Sequence, residues 1–262
     1  RIDPTTKKMD VGGLLIRPTN LLTALLYGFA NHTNPKAKEF YFWRCCDELW
    51  NNPEMPEPLM VRHPWAEEMI RAAIRNKYLA IGGSASSCKS HTMAAWGIIN
   101  WLSEPQDTLV MMTSTTLREA RRRIWGSVIS LLTVIQSAPC KIRDSIGSVA
   151  YVNENGDLIE RAGLMLIAAE KSKTREAVGK FIGIKQKRVI VIADELSELS
   201  EAILHAGLTN LSKNPFLQMI GMSNPNSRFD AFGVWAEPKR GWDSVDTNTA
   251  DNWDTKWNGH YL

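Results

Sequence analysis

Cysteine, histidine and long apolar runs are all scarce in this 262-residue chain, and each scarcity excludes something. A bilayer-spanning helix needs roughly 18 or more apolar residues in a row. No stretch approaches that, so no membrane association is expected. Arg1-Ile2-Asp3-Pro4 carries no apolar signal core, which argues against secretion. Of the four cysteines, Cys45 and Cys46 are adjacent, an arrangement that suits neither a metal knuckle nor a paired disulfide. Cys88 and Cys140 stand alone, and a reducing, intracellular setting is the simplest expectation. The five histidines show no zinc-ligand spacing. A net charge of +3 is too small to demand a nucleic-acid partner and leaves a local basic patch as the route to one.

What is present reads as a folded α/β protein. Residues 18–52 carry helical apolar clusters, Leu21 to Leu26 and Phe40 to Trp43, separated by a turn at Asn34-Pro35. Three prolines between Pro53 and Pro58 forbid helix and make a stiff connector. Pro64 then opens a helix over Trp65–Asn76. Beyond it, strand and helix alternate: strand 77–81, helix 89–102, strand 109–113, helix 117–132, strand 189–193 and strand 216–222. Asn155-Gly156, between the β-like runs 148–152 and 158–168, predicts a type I′ hairpin turn. Continuous apolar strands separated by helices predict a mainly parallel central sheet flanked by helices.

The chemistry is concentrated at two strand ends. Gly83-Ser84-Ala85-Ser86-Ser87-Cys88-Lys89-Ser90 matches the phosphate-loop (Walker A) pattern except that Cys88 replaces the second glycine. Small residues let backbone N–H groups approach phosphate oxygens, and the start of the following helix adds partial positive charge. Lys89 would neutralise the β and γ phosphates of ATP, and the Ser90 hydroxyl would ligate Mg²⁺. His91 follows within the first helical turn, as a member of the loop or as a packing residue. The strand 189–193 delivers Asp194 and Glu195 to its C-terminal edge, where ligands bind in open α/β sheets. Asp194 would hold the metal and Glu195 would act as general base on the attacking water. A carboxylate that activates water argues for hydrolysis over phosphoryl transfer to an acceptor. The expected fold class is therefore a P-loop NTPase of the ASCE, RecA-like kind, with an N-terminal helical extension.

A third strand ends in Ser223-Asn224-Pro225, where Ser223 or Asn224 could touch the γ-phosphate and sense hydrolysis. The ordered set of Gly83–Ser90, Met111–Thr115, Val189–Glu195 and Ser223–Pro225 resembles the large terminase subunits of tailed bacteriophages. The resemblance covers roughly residues 64–238. It implies a packaging motor that drives double-stranded DNA into a procapsid in the host cytoplasm. It also implies a homo-oligomeric ring on the portal protein, association with a small terminase subunit, and a monomer when the domain is isolated. Helicases share the first two elements, so a helicase-like or remodelling ATPase is the alternative. Two departures stand out: Ala85 occupies a position where the family often carries an arginine, and the family's adenine-reading glutamine is missing near Pro64. Trp65, stacking on the base, is the expected substitute.

The family pairs this domain with an RNase H-like nuclease. Too few residues follow Pro225 for a second core, so nuclease activity is not expected here. The expected organisation is a helical region and connector over 1–58, an ATPase core over 59–238, and a linker over 239–262 that carries Trp242, Trp253 and Trp257. Arg118, Arg121, Arg122 and Arg123 lie on the helix after the second strand, and Arg118, Arg121 and Arg122 are candidates for DNA phosphates or a subunit interface. Arg175, or alternatively Lys180, in the basic segment 171–187, is the candidate transition-state cation reaching into a neighbouring subunit.

Overall fold

The computed structural model describes residues 2–3, 8–11, 14–16, 21–51, 53, 56–135, 138–169, 174–211 and 213–262. Short strands β1 (Ile2–Asp3), β2 (Lys8–Val11) and β3 (Leu14–Ile16) pair as a separate antiparallel sheet. No strand was expected in the helical region and connector over 1–58. The sequence does carry a reason, because a Gly12-Gly13 pair between two short runs is a hairpin signal. Helices α1 (Leu21–Asn31), α2 (Pro35–Trp50) and α3 (Pro64–Arg75) follow. Asn34 caps α2 by accepting from the Lys36 amide at 2.9 Å, and Pro35 supplies the fixed φ of the first turn.

From there the chain alternates as β4 (Tyr78–Gly82), α4 (Lys89–Ser103), β5 (Thr108–Ser114), α5 (Leu117–Arg122) and α6 (Ile124–Thr133). It continues as β6 (Cys140–Arg143), β7 (Ser148–Val152), β8 (Leu158–Ala168), α7 (Thr174–Gly179), β9 (Arg188–Ala193) and α8 (Ala202–Leu211). The last elements are β10 (Phe216–Ser223), α9 (Ala231–Ala236), β11 (Trp253–Asp254) and β12 (His260–Tyr261). Nine strands form one sheet in the order β11-β12-β4-β10-β9-β5-β8-β7-β6. All pairings from β12 across to β8 are parallel, and the two margins are antiparallel. Strand β10 lies between β4 and β9, so the strand ending in Ser223 separates the strand before Gly83 from the strand before Asp194.

Alternation along the strands sends side chains to two covered faces, which is why the strand sequences are continuously apolar. Val110, Met112, Ile190, Ile192, Ile220 and Met222 belong to the larger core. Leu109, Met111, Val189, Val191, Leu217 and Met219 belong to the smaller one. Helices α1 and α2 are part of the larger core, not an appendage to it. Phe29 and Phe42 pack on Trp96 of α4 with ring centroids 5.6 and 5.8 Å away.

Three local expectations need correction. The helix over 117–132 is two helices, broken at Arg123, whose φ of −107° and ψ of −105° leave the helical region. The hairpin between β7 and β8 is not type I′, because only Gly156 has positive φ there, at 84°. The Asn153 side chain instead accepts from the Asn155 and Asp157 amides at 3.0 and 2.8 Å, shaping a three-residue loop with glycine in the left-handed position. Residues 239–262 are not extended away from the core. Strand β12 pairs with β4, Trp257 stacks on Trp235 at 5.9 Å, and Trp253 stacks on Tyr261 at 3.8 Å. Those tryptophans find apolar partners on the sheet margin, where burial stabilises them.

Gly163, inside β8, pairs with Ala150 of β7, next to the register shift at Ala150/Tyr151. Its φ is +138°, and an added Cβ would lie 1.9 Å from the Val149 carbonyl oxygen. Gly163→Ala is expected to destabilise the protein by about 2–4 kcal/mol in urea unfolding, through strain and forced strand separation.

Candidate active site

The loop after β4 leaves the strand at its C-terminal end and turns directly into α4. Cys88 sits at the N-cap of α4 with φ 59° and ψ 15°, the left-handed region that glycine occupies without cost. The cysteine therefore adopts the backbone shape the pattern calls for and carries the strain itself. Among the described residues, four non-glycine positions have positive φ, and three of them, Ser86, Cys88 and Glu195, lie at this site. Clustered strain of this kind is characteristic of ligand-holding loops. Cys88→Gly is expected to raise stability by about 1 kcal/mol in thermal unfolding, with nucleotide affinity equal to or better than the parent's.

Lys89 folds back over its own loop. Its Nζ donates to the carbonyls of Gly83 and Ser84, both at 2.8 Å, and to Ser87 Oγ at 3.2 Å. Burial pulls its pKa down, opposed by the carboxylates of Glu195 and Asp194. The Ser87 hydroxyl in turn donates to the Ser84 carbonyl at 2.9 Å, closing the loop on itself.

Ser90, in the first turn of α4, donates to Asp194 Oδ1 and Oδ2 at 3.0 and 3.1 Å. The two residues are 104 positions apart in sequence, and only the parallel sheet brings them together. Asp194 is 2% exposed, and burial pushes its carboxyl up to about 6, against the pull of the Ser90 hydrogen bond. A buried, under-compensated carboxylate beside a hydroxyl suits a hydrated magnesium ion that takes its remaining ligands from water and phosphate. Among the described residues no cluster of three or more His, Cys, Asp or Glu side chains forms a closed metal cage.

Glu195 follows with φ 52° and ψ 47°, which turns its side chain out of the strand line. Its Oε1 lies 2.7 Å from Nη1 of Arg123. Arg123 was not among the site residues expected from sequence. The signal was there only as the fourth arginine of the 118–123 cluster and in Gly126 just beyond it, where a Cβ would lie 2.8 Å from the Arg121 carbonyl oxygen at the helix break that aims Arg123 at Glu195. The other arginines go elsewhere. Arg121 donates to the carbonyls of Asp144 (3.2 Å) and Ser145, clasping the turn before β7, while Arg118 and Arg122 are exposed.

The Ser223–Asn224 pair divides between the two sheet faces. Ser223 Oγ lies 2.6 Å from Ser197 Oγ and accepts from the Ser197 amide at 3.3 Å, so it pins the 3₁₀ turn after Glu195 and does not face the loop. Asn224 Oδ1 accepts from Lys89 Nζ at 3.5 Å. His91 points away, its Nε2 bonding the Leu59 carbonyl at 2.8 Å and tying the connector to α4. Arg175 and Lys180 are exposed near the smaller core, and neither bonds to the loop or the acidic pair. Lys171 and Lys173 lie outside the described residues.

A cavity of about 840 Å³ opens beside the loop, lined by Ser84–Ser87, by His63, Trp65 and Glu68, and by Asp251 and Tyr261 of the C-terminal segment. Trp65 is 68% exposed, with its ring available to a planar ligand.

Among solved structures, the chain superposes on the large terminase ATPase domain of Thermus phage P74-26 with a TM-score of 0.53. The two are 14% identical over 71% of this chain and 70% of that one. The fold is that of a phage large-terminase ATPase domain. A mutant of the same domain gives the same values, and the ADP complex of a large terminase from a thermophilic bacteriophage gives a TM-score of 0.48, 13% identity, and coverage of 78% of this chain and 41% of that one. No protein-family model and no curated protein sequence matches the chain. The likeness in fold is thus visible in structure where sequence similarity has fallen to this level.

Proposed function

We propose that this chain is a Mg²⁺-dependent ATPase whose turnover drives double-stranded DNA into a viral procapsid. The observation that carries the reading is the convergence of Ser90 and Asp194 at the mouth of the phosphate loop, with Glu195 beside them. Ser90 and Asp194 would hold the magnesium ion, whose bound form neutralises charge on the β and γ phosphates.

The residues divide the remaining work. Backbone amides of Gly83 to Ser90 cradle phosphate oxygens at the start of α4. Lys89 gives up its carbonyl partners and meets the β and γ phosphates, exchanging neutral acceptors for anionic ones. Glu195 accepts the proton of the attacking water. Arg123 holds Oε1 and leaves Oε2 to accept from water, and this ion pair is taken as the nucleotide-free arrangement. A γ-phosphate competes for the same guanidinium, and its arrival frees Glu195. Asn224, bonded to Lys89, registers the exchange at the end of β10, and the Ser223–Ser197 bond links that strand to the turn after Glu195.

The resemblance extends the reading to assembly on a portal as a ring, with a small terminase subunit, in the host cytoplasm. Arg118 and Arg122 are exposed cations able to meet DNA phosphate or a neighbouring subunit, and Arg175 or Lys180 are the candidates to reach a neighbour's site. ATP hydrolysis by the purified chain, measured with and without duplex DNA, tests this directly. Magnesium-dependent turnover that rises with duplex and parts no strands is expected. Displacement of a labelled strand favours the helicase alternative, and no nucleotide binding at millimolar ATP removes the enzymatic reading.

A further inference from the structure

The buried hydroxyl of Ser114, at the C-terminal end of β5, has no role in the mechanism above and no hydrogen-bond partner among the described residues. It is fully buried, 0% exposed. A buried hydroxyl without a partner carries its full desolvation cost, so native structures keep such groups where a ligand or an ordered water completes them.

Register shows what lies beside it. Strands β5 and β9 are parallel with Met112 opposite Ile192 and Thr113 opposite Ala193, and the Asp194 amide bonds the Thr113 carbonyl at 2.9 Å. One step further places Ser114 beside Asp194. Alternation fixes the face: Val110 and Met112 of β5, and Ile190 and Ile192 of β9, all belong to the core beneath α4. Ser114 and Asp194 continue those two rows, on the side from which Ser90 of α4 reaches the Asp194 carboxylate. Thr113, the other unpartnered hydroxyl at this strand end, is on the opposite face with Met111 and Val191, away from the loop.

We propose that Ser114 is a positioning residue for the metal-bound nucleotide, its hydroxyl holding a water of the magnesium shell against Asp194. The inference rests on the nucleotide-site reading above and adds a residue to it. Both Asp194 oxygens already accept from Ser90, and a hydrated ion at that point needs acceptors for the hydrogens of its outward-facing waters. Ser114 supplies one from the end of β5, beside Asp194 on the same face of the sheet. It touches no phosphate and takes no proton.

The test is a titration of Ser114→Ala and the parent with a fluorescent ADP analogue, once in excess magnesium and once in EDTA. The expected result is binding about three- to tenfold weaker in magnesium, the loss of one water-mediated hydrogen bond, with the EDTA affinity unchanged. The magnesium concentration for half-maximal effect at fixed nucleotide should rise by the same factor. Equal affinities in magnesium, or an equal loss in both media, overturn the role of Ser114 and leave the nucleotide site standing. A parent protein whose binding ignores magnesium overturns both readings together.

Discussion

Replacing Glu195 with glutamine is expected to lower ATP turnover by about 10²- to 10⁴-fold while leaving Mg-nucleotide affinity within a few-fold of the parent. The amide keeps the shape and can still accept from Arg123, but it cannot take a proton from water. The effect belongs to the chemical step, because Glu195 contacts neither the loop nor Lys89; its partner is Arg123 at 2.7 Å. Single-turnover hydrolysis of radiolabelled ATP at saturating magnesium reads it out. A Glu195→Gln protein with parental turnover would show that the carboxylate at this strand end is structural.

Asp194→Asn is expected to act in opposite directions on metal binding and on stability. The Asp194 carboxyl is pushed up from 3.8 to about 6 by burial. A folded-state pKa above the unfolded value means that the protonated carboxyl is the favoured folded form. Its contribution is fully present below about pH 4 and is lost as pH rises through about 6. At pH 7, without metal, the folded protein therefore carries a buried charge costing about 3 kcal/mol, from a shift of about two units. Asparagine removes the charge and can still accept from Ser90. In EDTA the variant should be more stable than the parent at pH 7 by up to about that amount, with the difference vanishing at pH 4. Its magnesium-dependent nucleotide affinity should fall at least tenfold. Urea unfolding at the two pH values checks the sign, and a variant less stable than the parent at pH 7 contradicts it.

Such an exchange of stability for function is consistent with where sequence reading succeeded. The strands 189–193 and 216–222 were legible because they are buried on both faces, and a continuous apolar run needs no partner information to be recognised. The placement of the 83–88 loop between a strand and a helix was legible because small residues before a Lys-Ser pair have few structural reasons to follow a strand directly. Cys88 looked like a defect in that pattern, yet its φ of 59° shows the backbone doing what a glycine would do.

What stayed hidden depended on geometry between elements. The order that sets β10 between β4 and β9 follows from crossovers that no local pattern encodes. Ser223 and Asn224 are adjacent in sequence, and alternation alone sends one to Ser197 and the other to Lys89. Arg123 sat within a helical arginine cluster, and helical spacing could not foresee that the helix ends one residue before it. The C-terminal strands are two residues each, too short for periodicity to register. Their attachment to β4 rests on Leu262, which accepts from the Gly82 amide at 2.7 Å and donates to the Ala80 carbonyl at 2.9 Å.

A crystal structure of the chain with magnesium and a non-hydrolysable ATP analogue tests the central claim most directly. The account requires the β-phosphate inside the loop 83–90, the ion between Ser90 and Asp194, and Glu195 released from Arg123 towards the terminal phosphate. A nucleotide bound away from that loop, or an ion held by neither Ser90 nor Asp194, would contradict it.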